Sequence, residues 1–169
     1  GLCPGTYQVA VADTNNCYSE ATEVITQPDL LFADIISITH DTCFGDSNGT
    51  AVVAGTGGTL PYTYLWSNGA IQSTINNLPS AIYIVTVTDA NSCSSSDSVT
   101  VNQPTQVVAT IIDSTHVSCY GGNDGSAKVS ASGGTPLYTY LWSPSAGGQP
   151  TAIAYNLSAG TYSVTITDS

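Results

Sequence analysis

Residues 57–67 read Gly-Gly-Thr-Leu-Pro-Tyr-Thr-Tyr-Leu-Trp-Ser, and residues 133–143 repeat them as Gly-Gly-Thr-Pro-Leu-Tyr-Thr-Tyr-Leu-Trp-Ser. A second motif, Thr-Cys-Phe-Gly-Asp-Ser-Asn-Gly at residues 42–49, returns as Ser-Cys-Tyr-Gly-Gly-Asn-Asp-Gly at residues 118–125. Both motifs come back after 76 residues (57 to 133 and 42 to 118). Self-similarity at one fixed period indicates tandem structural repeats.

The period also predicts where each repeat begins and ends. Gln-Pro pairs at residues 27–28 and 103–104 close two repeats, and proline suits such a boundary because it cannot donate to a sheet ladder. We therefore predict one complete repeat at 29–104 and a second repeat at 105–169 that lacks its last strand. Residues 1–28 are predicted to be the C-terminal strands of a preceding repeat, so the sequence is interpreted as a window on a longer array.

Strand patterns run through every repeat. At residues 83–88, Tyr83, Val85 and Val87 alternate with residues that include two threonines, which is typical of a strand with one face on a core. Clusters of Gly, Pro, Asn and Asp separate such strands, and no stretch has a helical period. The pattern predicts an all-β chain in which each repeat is an immunoglobulin-like antiparallel β-sandwich of two packed sheets.

Aromatic residues mark the predicted cores. Leu-x-x-Gly-x-Tyr at residues 157–162 resembles the tyrosine corner of immunoglobulin-like sandwiches, in which the hydroxyl bonds to backbone upstream. Trp66 and Trp142 are the predicted core anchors, together with Tyr83 and Tyr162. Large aromatic side chains at these positions are more typical of a core than of a ligand platform.

The charge balance excludes several classes of partner. Twelve Asp and Glu stand against one basic residue, which gives a net charge of −11. With so little positive charge to neutralise phosphates, nucleic-acid binding is not expected. An anionic membrane surface would repel the chain, and no apolar run is long enough to span a bilayer, so membrane insertion of this segment is not expected either.

Taken in order, the motifs resemble the SprB repeat. They are Cys-[Phe/Tyr]-Gly-x-x-x-Gly, Gly-Gly-Thr-x-x-Tyr-Thr-Tyr-Leu-Trp-Ser, Tyr-x-Val-x-[Ile/Val]-Thr-Asp, Asn-x-Cys and a strand ending in Gln-Pro. SprB repeats occur in giant surface adhesins of gliding bacteria and are similar to PKD and other immunoglobulin-like modules. The resemblance implies an exported, extracellular, non-enzymatic array at the cell surface, typically delivered by the type IX secretion system.

Four of the five cysteines recur at equivalent positions. Cys43 and Cys93 flank one repeat and are predicted to form a disulfide, which implies an oxidising compartment. The alternative is a pair of reduced, buried thiols. Cys17 and Cys119 occupy the equivalent positions and are predicted to pair with partners outside the sequence. Cys3 has no counterpart, and its partner stays open.

An oxygen-rich turn predicts a calcium site. Asp46 and Asn48 lie in one turn, and a Cys43–Cys93 bond would bring Asp89 beside them. The three side chains would then supply hard oxygen ligands for Ca²⁺. The alternative is ordinary Asx-turn chemistry with Gly at positive φ. No cofactor other than calcium is expected.

Two serines are candidate modification sites. Ser98 and Ser114 each follow an aspartate, in tripeptides that resemble the Asp-Ser/Thr-apolar O-glycosylation site used by this bacterial group. Such short tripeptides also arise by chance, so unmodified serines are the alternative.

The repeats predict a structural and adhesive function rather than catalysis. His40 and His116 recur at one register, which is typical of a structural role, and no catalytic set stands out. The expected function is a stalk, spacer and multivalent adhesion segment of a cell-surface filament, with neighbouring repeats and extracellular surfaces as partners. One alternative is a polysaccharide-binding module that uses Tyr18, Tyr120 and Phe44. Another is a filament subunit in which identical chains polymerise by donor-strand exchange.

Overall fold

The computed structural model describes the whole chain, Gly1–Ser169, as β-strands with one 3₁₀ turn at Pro144–Ala146. The pairs of strands with a defined register are antiparallel. The strands are β1 (Gly5–Ala12), β2 (Tyr18–Ile25), β3 (Phe32–Thr39), β4 (Gly49–Thr56), β5 (Thr63–Trp66), β6 (Thr74–Leu78), β7 (Ala81–Thr88), β8 (Ser94–Val101), β9 (Val108–Thr115), β10 (Gly125–Ser132), β11 (Thr139–Trp142), β12 (Ile153–Leu157) and β13 (Val164–Thr167).

Contacts between residues divide the chain into two compact units. The first comprises Gly1–Ile36, Val53–Ser73 and Ile84–Ser98, and the second comprises Ser37–Val52, Thr74–Tyr83 and Val99–Ser169. This grouping does not follow the 76-residue period. The repeat boundaries after residues 28 and 104 therefore stay predictions.

The strands form five small sheets. β1 pairs with β2 alone, whereas residues 29–104 carry the orders β3-β4-β6 and β5-β7-β8. Residues 105–169 carry the corresponding orders β9-β10-β12 and β11-β13. The second sheet of residues 105–169 therefore has two strands where the earlier one has three, because β8 has no counterpart there.

The core of residues 105–169 lies between its two sheets. Val129 in β10 and Trp142 in β11 are each 2% exposed and belong to one cluster of buried side chains. Tyr140, Val164 and Ile166 of the smaller sheet pack against the same cluster. Side chains from two sheets that meet in one core define a β-sandwich, so the predicted fold class of tandem immunoglobulin-like repeats is confirmed.

The two tryptophans occupy the same environment in their repeats. Trp66 and Trp142 are each 2% exposed. The indole Nε1 of Trp66 donates to the carbonyl of Gln72 at 2.9 Å, and that of Trp142 donates to the carbonyl of Thr151 at 2.9 Å. A buried indole needs such a partner, so each tryptophan also holds the chain that follows its strand.

Three copies of one strand pattern differ in how far they are buried. Val85 in β7 is 0% exposed, and its equivalent in β13, Val164, is half-buried. The equivalent in β1, Val9, is 57% exposed. The valine at this position of the pattern is therefore more deeply buried where more strands surround it.

We expect residues 105–169 to unfold at a lower urea concentration than residues 29–104, because Val164 and its neighbours are less covered than Val85. Trp66→Phe leaves Trp142 as the reporter of the later repeat, and Trp142→Phe leaves Trp66. The emission of Trp142 should shift to the red at a lower urea midpoint than that of Trp66. Coinciding midpoints in the two single-tryptophan variants would contradict this expectation.

Candidate functional site

A tyrosine corner occurs in all three copies of the motif. Tyr7, Tyr83 and Tyr162 each donate the hydroxyl to the carbonyl four residues earlier, at 2.8, 2.9 and 2.9 Å. Burial, and after it the negative charge of Asp41, raises the pKa of Tyr83 above the usual 10.0. The corner therefore ties the loop before each of these strands to the strand itself.

Tyr83→Phe should lower the free energy of unfolding by about 1 kcal/mol, because the carbonyl of Pro79 loses its donor. Tyr7→Phe is the matched control, and its effect should be smaller because water can replace a hydroxyl in the exposed hairpin. The raised pKa gives a second signature. Stability from Tyr83 is present below pH 10 and is lost as the pH rises through the folded-state pKa, and Tyr83→Phe should remove that part of the alkaline slope.

The role of a second tyrosine in each repeat was not predicted from the sequence. Tyr62 donates its hydroxyl to the carbonyl of Gly57, and Tyr138 donates to the carbonyl of Gly133. Both tyrosines lie in the repeated Gly-Gly-Thr-x-x-Tyr motif. Each hydrogen bond therefore closes the loop that the motif itself forms. The glycine carbonyl is presented by backbone at φ 73° in Gly57 and φ 74° in Gly133, a region that favours glycine.

Aspartates close the turns that precede the last strands. Asp89 Oδ1 accepts the N–H groups of Asn91 and Cys93, each at 2.9 Å, and Oδ2 accepts that of Thr59 at 2.9 Å. Asp13 accepts the equivalent pair of N–H groups in the turn between β1 and β2. Burial alone would raise the pKa of the Asp89 carboxyl. The three backbone N–H donors lower it by a larger amount, so the net pKa lies below the usual 3.8.

Because the folded-state pKa of Asp89 is lowered, its contribution to stability is present above pH 3.8 and is lost as the pH falls through the folded-state value. Asp89→Asn should lower the urea midpoint at neutral pH and flatten the acid side of the stability profile. Asp113→Asn on the exposed strand β9 is the matched control and should leave both unchanged. Identical profiles for wild type and Asp89→Asn would refute the role of this carboxylate.

The turn at residues 41–49 is built on a buried carboxylate that the sequence did not single out. Asp41 is 5% exposed, and its Oδ1 accepts the N–H groups of Asn48 at 2.8 Å and Gly49 at 3.0 Å. Its Oδ2 is buried and has no hydrogen-bond partner. The equivalent position in the next repeat is Val117, so this carboxylate is not a repeated feature.

The predicted calcium ligands are engaged in turn hydrogen bonds. Asn48 Nδ2 donates to Asp46 Oδ2 at 3.2 Å, so these two side chains do lie together. Both oxygens of Asp89 accept backbone N–H groups. No group of three or more His, Cys, Asp or Glu side chains is placed to hold a metal ion. Calcium at Asp46, Asn48 and Asp89 stays a prediction.

All five cysteines are free and exposed: Cys3, Cys17, Cys43, Cys93 and Cys119. The Cys43–Cys93 disulfide and the half-cystine roles of Cys17 and Cys119 stay predictions.

The candidate glycosylation sites lie on exposed strand positions. Ser98 is exposed in β8, and its N–H donates to Asp97 Oδ1 at 2.7 Å. Ser114 is exposed in β9, where every residue is exposed. Modification of either serine stays a prediction.

The predicted boundary between repeats has hydrogen-bonded residues on both sides of Pro104. The N–H of Gly45 donates to Gln103 Oε1 at 2.8 Å. The N–H of Gly134 donates to the carbonyl of Thr105 at 2.7 Å. Pro104 between them has a fixed φ, so few free torsions separate the two attachment points.

The three aromatic side chains that are candidates for polysaccharide contact are all exposed. Tyr18 is 72% exposed, Phe44 is 52% exposed and Tyr120 is fully exposed. Phe44 and Tyr120 are equivalent positions, and an open depression of about 590 Å³ lies beside Tyr120, lined in part by Val117 and Ala159. His40, by contrast, accepts the N–H of Asn102 on Nδ1 at 3.2 Å, which is a structural contact.

The family model of the SprB repeat matches the chain twice, at residues 35–71 and 111–147. The chain is thus similar to the SprB repeat at two places. The two matches begin 76 residues apart (35 to 111), in agreement with the period of the motifs. SprB repeats are structural repeats of surface proteins, and nothing in the chain points to catalysis. No curated protein matches the chain, and the structure contains no helix with the length and apolar character to cross a bilayer.

Proposed function

We propose that these SprB repeats form a stalk and spacer in an extracellular adhesin or filament, and contribute weak, multivalent contacts with surfaces. The observation that carries the proposal is the junction at Gln103, Pro104 and Thr105, where both neighbours of the proline are hydrogen-bonded to structured loops. A spacer needs such a junction, because a flexible linker would let successive repeats fold back on one another.

The surface chemistry supports a solvated array. The net charge of −11 keeps like chains apart, and Ser and Thr occupy many outward positions of the strands. Multivalent attachment multiplies a small affinity, so a repeat can contribute to adhesion without a deep pocket. Placement of the parent protein in gliding motility, with export by type IX secretion, belongs to the proposal and rests on the repeat family alone.

The spacer role predicts a stiff junction. NMR relaxation of the wild-type chain should give residues 29–104 and 105–169 one common rotational correlation time. Gln103→Ala should separate the two correlation times and speed hydrogen exchange at the Gly45 amide, which loses its acceptor. Gln106→Ala, two residues beyond the proline, is the matched control. Independent tumbling in the wild type would reject the spacer.

A polysaccharide-binding module is the second candidate, favoured by the full exposure of Tyr120 beside its depression. A glycan array separates the two functions. Binding of one chain with a defined single-site affinity, lost in Tyr120→Ala and kept in Tyr18→Ala, would support the module. Binding that is detectable only when many chains share one bead would support the multivalent array.

A further inference from the structure

Asparagine is followed by glycine at two places, Asn48-Gly49 and Asn68-Gly69, and the two pairs have different surroundings. Such a pair is prone to one reaction that needs no enzyme, in which the backbone nitrogen of the glycine attacks the side-chain Cγ of the asparagine. Glycine favours this ring closure because it has no Cβ to obstruct the approach and its backbone turns freely. Whether either pair reacts therefore depends on how the fold holds the two groups.

Hydrogen bonds and packing immobilise the pair at Asn48. Its Oδ1 accepts the N–H of Thr42 at 3.1 Å, and its Nδ2 donates to Thr42 Oγ1 at 2.7 Å and to Asp46 Oδ2 at 3.2 Å. The N–H of Gly49 donates to the buried Asp41 carboxylate at 3.0 Å. Gly49 is itself buried, and a Cβ atom there would meet a neighbouring side chain at 2.6 Å. A five-membered ring and an attacking water both lack room at this pair.

The equivalent pair in residues 105–169, Asp124-Gly125, is held in the same way. Asp124 Oδ1 accepts the N–H of Ser118 at 3.0 Å, a bond that spans six residues, as the bond from Thr42 to Asn48 does. Gly125 is buried, and a Cβ atom there would lie 2.8 Å from the carbonyl oxygen of Leu157. The turn before β4 and the turn before β10 therefore restrain this position alike.

Asn68 lies instead in the exposed turn that follows β5. Gly69 has φ 85°, and a Cβ atom placed on it would meet nothing within 4 Å, so a ring has room to form. Asn68 Oδ1 accepts the N–H of Ala70 at 3.1 Å. Because this bond spans the Gly69 peptide, it keeps Cγ close to the Gly69 nitrogen, and its donor stabilises the negative charge that develops on the oxygen during attack.

One contact in this turn opposes the reaction. The N–H of Gly69 donates to the carbonyl of Trp66 at 2.9 Å, and this bond must open before the nitrogen can attack. The turn is exposed at residues 67–69, and local opening of an exposed turn costs little free energy compared with unfolding of the core. The two Asn-Gly pairs thus differ in the freedom of the nucleophile and in the space for the ring.

We propose that Asn68 is a site of spontaneous backbone modification, and that the fold protects Asn48 from the same reaction. The Gly69 nitrogen loses its proton to solvent and bonds to Asn68 Cγ, the bond from Cγ to Nδ2 breaks, and the side-chain nitrogen leaves as ammonia. Water then opens the cyclic imide at either of its two carbonyls, which leaves aspartate or isoaspartate at position 68. The only co-reactant is water.

The product alters the turn that begins at Trp66. Each modified chain gains one negative charge, and isoaspartate adds one carbon atom to the backbone of the turn. The N–H of Gly69 bonds to the Trp66 carbonyl and the N–H of Trp66 bonds to the Ala70 carbonyl, each at 2.9 Å, and both bonds depend on the present backbone length. The corresponding loop at residues 143–150 contains no asparagine and keeps its length. Modification therefore weakens the hold on Trp66 alone.

Peptide mapping by mass spectrometry tests the proposal on the full chain, incubated folded and, in parallel, in guanidinium chloride. In denaturant Asn48 and Asn68 should convert at similar rates, since glycine follows both. In the folded chain Asn48 should convert about tenfold more slowly than Asn68, or slower still, because its reacting groups are held in place. Incubation in heavy-oxygen water should label position 68 in the product, since water opens the imide.

Asn68→Gln is the matched control, because it keeps an amide before Gly69 but requires a larger ring, and its position 68 should stay unmodified. A second readout follows the turn. In the Trp142→Phe background, modified chains separated by ion exchange should show the emission shift of Trp66 at a lower urea midpoint than unmodified chains. A folded chain whose Asn68 stays intact while the denatured chain reacts overturns the proposal. Equal conversion of Asn48 and Asn68 in the folded chain overturns the protection of Asn48.

Discussion

The Tyr-x-Val-x-[Val/Ile] strand can bury its apolar face only when strands on both sides of it complete the sandwich. Val85 has those neighbours and is 0% exposed, whereas Val9 has a single partner strand and is 57% exposed. Hydrophobic stabilisation is roughly proportional to the apolar area that leaves water, so the same residue contributes very differently in the two places. The stability of each repeat therefore depends on whether its last strand is in place.

Hydrogen bonds from side chains to backbone hold the loops that lead into these strands. Tyr83 fixes the loop before β7, Asp89 fixes the turn after it, and Asp41 fixes the turn that leads into β4. Each bond satisfies a backbone group that the sheet ladder cannot reach. Hydrogen bonds thus hold the loops at the ends of the small sandwich, while apolar packing holds its two sheets together.

One feature of the fold bears on the assembly of an array. The hydrogen bonds on either side of Pro104 restrict the predicted junction between repeats, as the proposed stalk requires.

Much of the architecture could be predicted from the residues alone. The 76-residue period, the all-β class and the tyrosine corner follow from local patterns, because strand alternation and turn residues act over a few positions of the chain. The partner of Tyr62 at Gly57 lies within the same short motif, yet the pattern did not reveal it as a hydrogen bond.

The sequence by itself determined the repeat, the strand content and which side chains are fit for a core, since these depend on period and polarity. Only the tertiary structure decided which of those side chains are covered. Val9, Val85 and Val164 have one pattern and three degrees of burial, because burial depends on neighbouring strands that are distant along the chain. The bond from Gly45 to Gln103 arises in the same way, from segments brought together only by folding.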